Sequence, residues 1–212
     1  MRKSPKSSLT PSDWAKAAYR SIARGGVDAI SVEAIAVELG ATKGSFYWHF
    51  KNRDALIEAA LDEWEHRLTD RVIERLELDP DPAQRLRKLL NGAFQQRAFD
   101  RAAEVALLAN PEHPLVRRRV RQVARRRMEY IAEQLESIGW QPAEASDRAV
   151  ILSCLYVGYL QTAHVAPSVM GNEARRRHAE IAFDSLIVAD LVPDRPKGPE
   201  LARSAGTPPL PT

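Results

Sequence analysis

Between residues 13 and 190 the apolar positions recur at helical spacing, and no convincing period-two run marks a strand. Ser12 reads as the N-cap of a first helix running to Ala23, with Trp14, Ala18 and Ile22 on one face and Gly25-Gly26 as its stop. Ser31 reads as the cap of a second helix, with Val32, Ile35, Ala36 and Leu39 inward and Glu33 and Glu38 outward. Gly40 is placed to end it in the left-handed conformation. Thr42 then caps a short third helix from Lys43 to about Phe50. Asn52 opens a long fourth, whose stripe is Leu56, Ala60, Leu61, Trp64, Leu68, Val72 and Leu76, broken at Asp79-Pro80-Asp81-Pro82.

Further helices are predicted at about 82–99, 101–109, 115–138, 142–165 and 173–190, divided by proline and glycine. The pattern predicts an all-α chain of about nine helices. Its organisation reads as a flexible basic arm (1–11), a three-helix helix-turn-helix domain (12–58), a larger helical domain (59–190) and a disordered Pro-rich tail (191–212).

The chain has 212 residues, of which 44% are hydrophobic and 28% charged, enough for one sizeable core or two small packed domains. No run approaches the ~18 apolar residues of a membrane span, and the basic, polar opening MRKSPKSSLTPSD has no secretory apolar stretch. A single cysteine, Cys154, excludes an intramolecular disulfide framework, so a soluble, cytoplasmic protein is expected. The net charge of +3 is unevenly spread. Residues 1–53 carry nine Lys or Arg against four acids, while the remainder holds 22 against 24. Basic character gathered in one small module suits a binder of the phosphate backbone.

The informative segment is SVEAIAVELGATKGSFYWHFKNRDAL, Ser31 to Leu56. Two short helices with one apolar face each, joined by a tight Gly turn, have the pattern of a helix-turn-helix. Phe46 and Phe50, four apart, face inward and leave Lys43, Gly44, Tyr47, Trp48 and His49 mainly outward. An aromatic-rich surface helix suits a DNA groove better than it suits water. Thr42 and Ser45 offer hydroxyls, Lys43 reaches for a guanine edge, Gly44 admits close approach, and Lys51 is placed for a phosphate.

The pattern Gly40-Ala-Thr-Lys-Gly44-Ser-Phe-Tyr47-Trp-His49-Phe50-Lys51, followed by Arg53 and Leu56, resembles the TetR family of bacterial transcriptional regulators. The likeness covers most of residues 13–58, with Ala41 standing where the family more often has Val. It implies a recognition helix at about 43–49, with Tyr47 and Lys51 on backbone phosphates. The DNA-binding set is thus Ser31, Thr42, Lys43, Gly44, Ser45, Tyr47, Trp48, His49 and Lys51. The resemblance also implies that the larger domain dimerises through its last two long helices and often holds a small-molecule pocket.

Candidates for contact with a small apolar or aromatic effector are Trp64, Phe94, Phe99, Tyr130, Tyr156 and Tyr159, although each also reads as ordinary core. The small-residue row Ala145, Ala149, Ser153, Val157, Gly158 suits close helix approach. The expected dimer contacts are Ala149, Ser153 and Val157 with Ile181, Phe183 and Leu186. The run Arg117-Arg118-Arg119-Val120-Arg121, continued by Arg125-Arg126-Arg127, flanks an apolar stripe and reads as a solvated or ion-paired face, with Glu112, Glu129 and Glu133 in helical reach. His113, His164 and His178 lack metal spacing, and no catalytic pair, metal or cofactor is called for. The reading is a ligand-responsive repressor that binds a palindromic operator in double-stranded DNA as a homodimer. Its alternatives are a DNA-binding regulator or architectural protein without an effector, and a helical lipid-binding protein or enzyme.

Overall fold

The computed structural model of the chain describes residues 9–188, which are all-helical without a strand among them. The basic arm's Arg2, Lys3 and Lys6, and the Pro-rich tail from 191, lie outside the described residues.

Helix α1 spans Pro11–Gly25, and its cap is Thr10 rather than Ser12. Pro11 sits at the first helical position, where its fixed φ and missing N–H cost nothing. The Thr10 hydroxyl accepts from the Asp13 backbone N–H, and the Asp13 carboxylate accepts in return from the Thr10 backbone N–H at 2.8 Å. Ser12 therefore lies inside the first turn. Helices α2 (Val32–Leu39) and α3 (Lys43–Tyr47) start on the hydroxyls of Ser31 and Thr42 as read. Between them Gly40 has φ 63°, a conformation that a Cβ would strain. Helix α3 stops earlier than expected because the Phe46 carbonyl accepts from both His49 N and Phe50 N, closing a turn. That turn swings the Phe50 ring onto Phe46, stacked at 5.6 Å, and Trp14 meets the edge of the same ring at 5.5 Å.

Helix α4 starts on the Asn52 side chain and runs as Arg53–Glu65, a π-helical turn His66–Asp70, and Arg71–Leu76. The inserted residue turns the helix face, so the stripe changes use. Leu56, Ala60, Leu61 and Trp64 are buried above the turn, whereas Leu68 and Val72 border a cavity beyond it. Next come α5 (Pro82–Phe94, capped by Asp81) and α6 (Ala98–Leu108). Helix α5 ends five residues before the expected 99, at a corner where Arg101 donates back to the Gln96 carbonyl at 3.1 Å. Helices α7 (Pro114–Ser137), α8 (Pro142–Val165) and α9 (Asn172–Leu186) complete nine helices among the described residues.

Two cores form. The first joins α1–α4 to Ala103 and Leu107 of α6 and to Val116 and Val123 of α7. The second joins α5, the end of α7, Trp140, α8 and α9. The N-terminal helices thus rest directly on α6, with Tyr19 of α1 donating to Asp100 at 2.9 Å in the interior. The arginines of α7 mostly cross to other helices instead of pairing along their own. Arg118 meets Glu58, Arg119 meets Asp62 and Glu65, Arg126 meets Glu65 and Asp70, and Arg127 meets Glu104. Among the described residues, Arg125 alone pairs with a residue named for it within the helix, Glu129 at 3.4 Å.

Candidate functional site

The surface of the N-terminal module is set by what its core withholds. Phe46 and Phe50 are consumed by packing, which leaves Tyr47 at 57% and Trp48 at 88% exposure. Burying apolar surface is worth about 25 cal/mol per Å², so an indole left in water next to a formed core forgoes that gain. His49 is half-buried, and Lys43, Gly44, Thr42 and Lys51 are exposed. A Cβ at Gly44 would touch only the Thr42 hydroxyl, at an ordinary 3.6 Å, so the chain's own packing does not require glycine there.

A shallow groove of about 460 Å³ brings Ser31, Glu33, Lys43, Tyr47, Lys51 and Arg53 together. It lies where α2 and α4 both begin, so two sets of N-terminal backbone N–H groups add positive potential. Lys43 Nζ sits 2.6 Å from Glu33, which raises the lysine's pKa and lowers the glutamate's. Arg20 and Arg24 are tied to Glu38 on the far side of α2. Arg53 belongs to the sequence pattern without a role assigned to it there. Its guanidinium donates to the carbonyls of Ile30 at 2.8 Å and Val27 at 2.9 Å, and so pins the entry to α2 against the start of α4.

Beyond the π-turn lies a cavity of about 970 Å³ between α4, α5, α7 and α8. Its apolar wall includes Val72, Leu86, Leu90, Ile131 and Leu152. Of the six aromatic residues considered for a ligand, Phe94, Tyr130 and Tyr156 line it. Trp64 is buried in the first core, Phe99 packs edge-on against Tyr19, and Tyr159 is stacked behind Phe94 at 4.0 Å. Sequence reasoning named Tyr156 but missed the rest of the polar wall, made of Arg67, Gln96, Asp100 and Arg127. Tyr156 donates to Glu104 at 2.7 Å, Arg127 pairs with the same carboxylate, and Arg67 pairs with Asp100 at 3.2 Å. Burial and the Glu104 charge push the Tyr156 hydroxyl well above its ordinary pKa, so it stays a donor. The available signal was Asp100 and Glu104, acids one turn apart on the apolar face of α6.

The residues named for a dimer contact scatter. Val157 and Ile181 are exposed, Ser153 and Leu186 are half-buried, and Ala149 and Phe183 are enclosed within the chain. The outward face of α8 carries Val150, Ile151, Cys154, Leu155 and Val165 beside Val157.

Residues 15–60 match the family profile described as bacterial regulatory proteins, tetR family. The chain is 34% identical over 87 residues to the HTH-type transcriptional regulator TtgR of Pseudomonas putida, covering 40% of this chain and 41% of that protein. It is 31% identical over 108 residues to the HTH-type transcriptional regulator BetI of Klebsiella pneumoniae (strain 342), covering 49% and 55%. The chain therefore spans about half or less of these curated relatives' length. Its fold matches a transcriptional regulator from Rhodococcus sp. Rha1 with a TM-score of 0.74 at 22% identity, over 86% of this chain and 97% of that one. Residues 15–60 thus carry the sequence pattern of the tetR family of bacterial regulatory proteins, and the described helices share the fold of a solved transcriptional regulator.

Proposed function

We propose that the chain is a ligand-responsive transcriptional repressor of the bacterial cytoplasm, binding a two-fold-symmetric operator as a homodimer. Helix α3 enters the major groove, Lys43 and Thr42 meet base edges, and Tyr47 and Lys51 hold phosphates. The observation that carries this reading is the exposed Tyr47–Trp48 surface beside an open Gly44 and two helix N-termini. One helix-turn-helix buries too little surface for tight specific binding, which favours two copies. The apolar outward face of α8 is the surface offered to the second copy.

An effector in the cavity is supported by its size and by the polar chain that leaves it. Arg67 and Asp100 are wall residues, and Asp100 also accepts from Tyr19 in the DNA-binding module. A ligand that displaces Arg67 or Asp100 shifts α6 against α1 and changes the separation of the two recognition helices. This cavity favours the effector-responsive reading over a DNA-binding protein with a solid core.

Gly44→Leu tests the placement of α3. Fluorescence anisotropy with a selected duplex will show binding weakened at least tenfold, with an unchanged melting midpoint. Unchanged affinity would remove α3 from the groove.

A further inference from the structure

Arg101 on α6 and Arg175 on α9 are 7% and 8% exposed. Neither has a carboxylate at ion-pair distance among the described residues. Arg101 donates through Nη1 to the Gln96 carbonyl, and its buried Nε has no partner. Arg175 donates through Nε to the Met170 carbonyl at 2.6 Å. The two guanidinium charges act on each other, and both act on the Tyr159 hydroxyl, which lies 3.4 Å from His178 Nδ1. Burial and the Arg175 charge hold the Arg101 pKa below its ordinary value. Arginine does not deprotonate in proteins, so this repulsion persists at any working pH.

Two enclosed like charges without a counterion are costly to hold, and a bound anion relieves both at once. The free donors have the right form. Arg101 keeps its Nε edge, which can engage a carboxylate side-on, while Arg175 keeps both terminal nitrogens. Arg101's anchor Gln96 and the ring stacked on Tyr159, Phe94, both belong to the cavity wall, so the pair stands directly behind that wall.

We propose that Arg101, Arg175 and the Tyr159 hydroxyl form a binding site for the carboxylate group of a small organic acid. This deepens the effector reading by giving the ligand's class: an acid whose apolar body lies toward the cavity and whose carboxylate bridges the two guanidiniums.

Calorimetric titration and thermal melting of the full chain, without DNA, test the site at matched ionic strength. The probes are benzoate and butyrate, with benzamide and butyramide as neutral controls and phosphate as the inorganic source. At least one carboxylate will bind saturably and raise the melting midpoint by several degrees, with its amide at least tenfold weaker. Arg101→Met and Arg175→Met will each abolish that shift while leaving the ligand-free midpoint at or above that of the parent. Arg101→Lys, which keeps the charge and loses the fork, will weaken binding at least tenfold. Amides as effective as acids, phosphate binding alone, or a retained shift in the Met variants would each overturn the site. So would a lowered ligand-free midpoint with loss of the dimer, which would show the arginines paired across subunits. Operator binding measured in parallel keeps a failure here separate from a failure of the DNA-binding reading.

Discussion

Lys43 begins its work already occupied, since its ammonium sits on Glu33 across the groove. Both side chains are largely exposed, so the pair itself contributes little to stability and yields to a stronger partner. Lys43→Ala is expected to cost about 1–3 kcal/mol on the preferred operator and to relax choice at one base pair per half-site. Glu33→Gln, which frees the lysine and removes an acid beside the phosphates, is expected to tighten binding to all sequences. Anisotropy titrations on a matched operator panel check both, and equal losses on every sequence would make Lys43 a phosphate contact. The outward set of α3 was legible because Phe46 and Phe50 claim the inward positions four apart. The polar cavity wall was not, because Arg67 and Arg127 look like ordinary helix-surface charges until their helices converge on the acids of α6. The dimer candidates show the same limit. A row of small residues marks close packing, but Ala149 is spent inside the chain, and the exposed apolar set joins Val157 and Ile181, which were named, to Val150, Ile151 and Leu155, which were not.

At the scale of elements, caps were the most readable feature and lengths the least. Ser31, Thr42 and Asn52 each accept the backbone N–H that the sequence assigned to them, because a short polar side chain before an apolar run has one favourable use. Thr10 displaced Ser12 because Pro11 fixes the first helical residue and Asp13 then completes a reciprocal pair. This pair carries a pH signature. The backbone N–H and hydroxyl of Thr10 hold the Asp13 carboxylate below its ordinary pKa. A lowered carboxylate pKa stabilises the fold above the unfolded value, roughly 3.9, and that stability fades as pH falls through the folded value. Asp13→Asn will therefore lower the urea midpoint at pH 7, and the gap from the parent will narrow as pH falls below about 4. A gap independent of pH would mean that the charge contributes nothing. The π-turn at His66–Asp70 left no trace in the apolar spacing, since Leu68 and Val72 keep the helical rhythm on either reading. Its consequence appears only in three dimensions, where Arg67, Leu68 and Thr69 all border the cavity.

Across the whole molecule, the boundary drawn at residue 58 falls inside α4, a helix of the first core, and α1 rests on α6. Tyr19 is the polar link at that seam. Burial and the Asp100 carboxylate drive its pKa far up, so the hydroxyl donates at every accessible pH. Tyr19→Phe removes a buried bond to a charged acceptor and is expected to cost about 2 kcal/mol of stability. It should leave operator affinity nearly intact while reducing the release produced by a cavity ligand, as read from anisotropy with and without that ligand. Full release in the variant would place the coupling elsewhere. The central claim, a two-fold dimer reading DNA through α3, is tested most directly by selecting bound duplexes from a random pool. The selection is run with the parent chain and with Ile151→Glu on the outward face of α8. The account predicts an inverted repeat for the parent, with half-sites about one helical turn apart, and loss of enrichment for the variant as it becomes monomeric. A single asymmetric motif, or the same enriched sequence from both proteins, would contradict it.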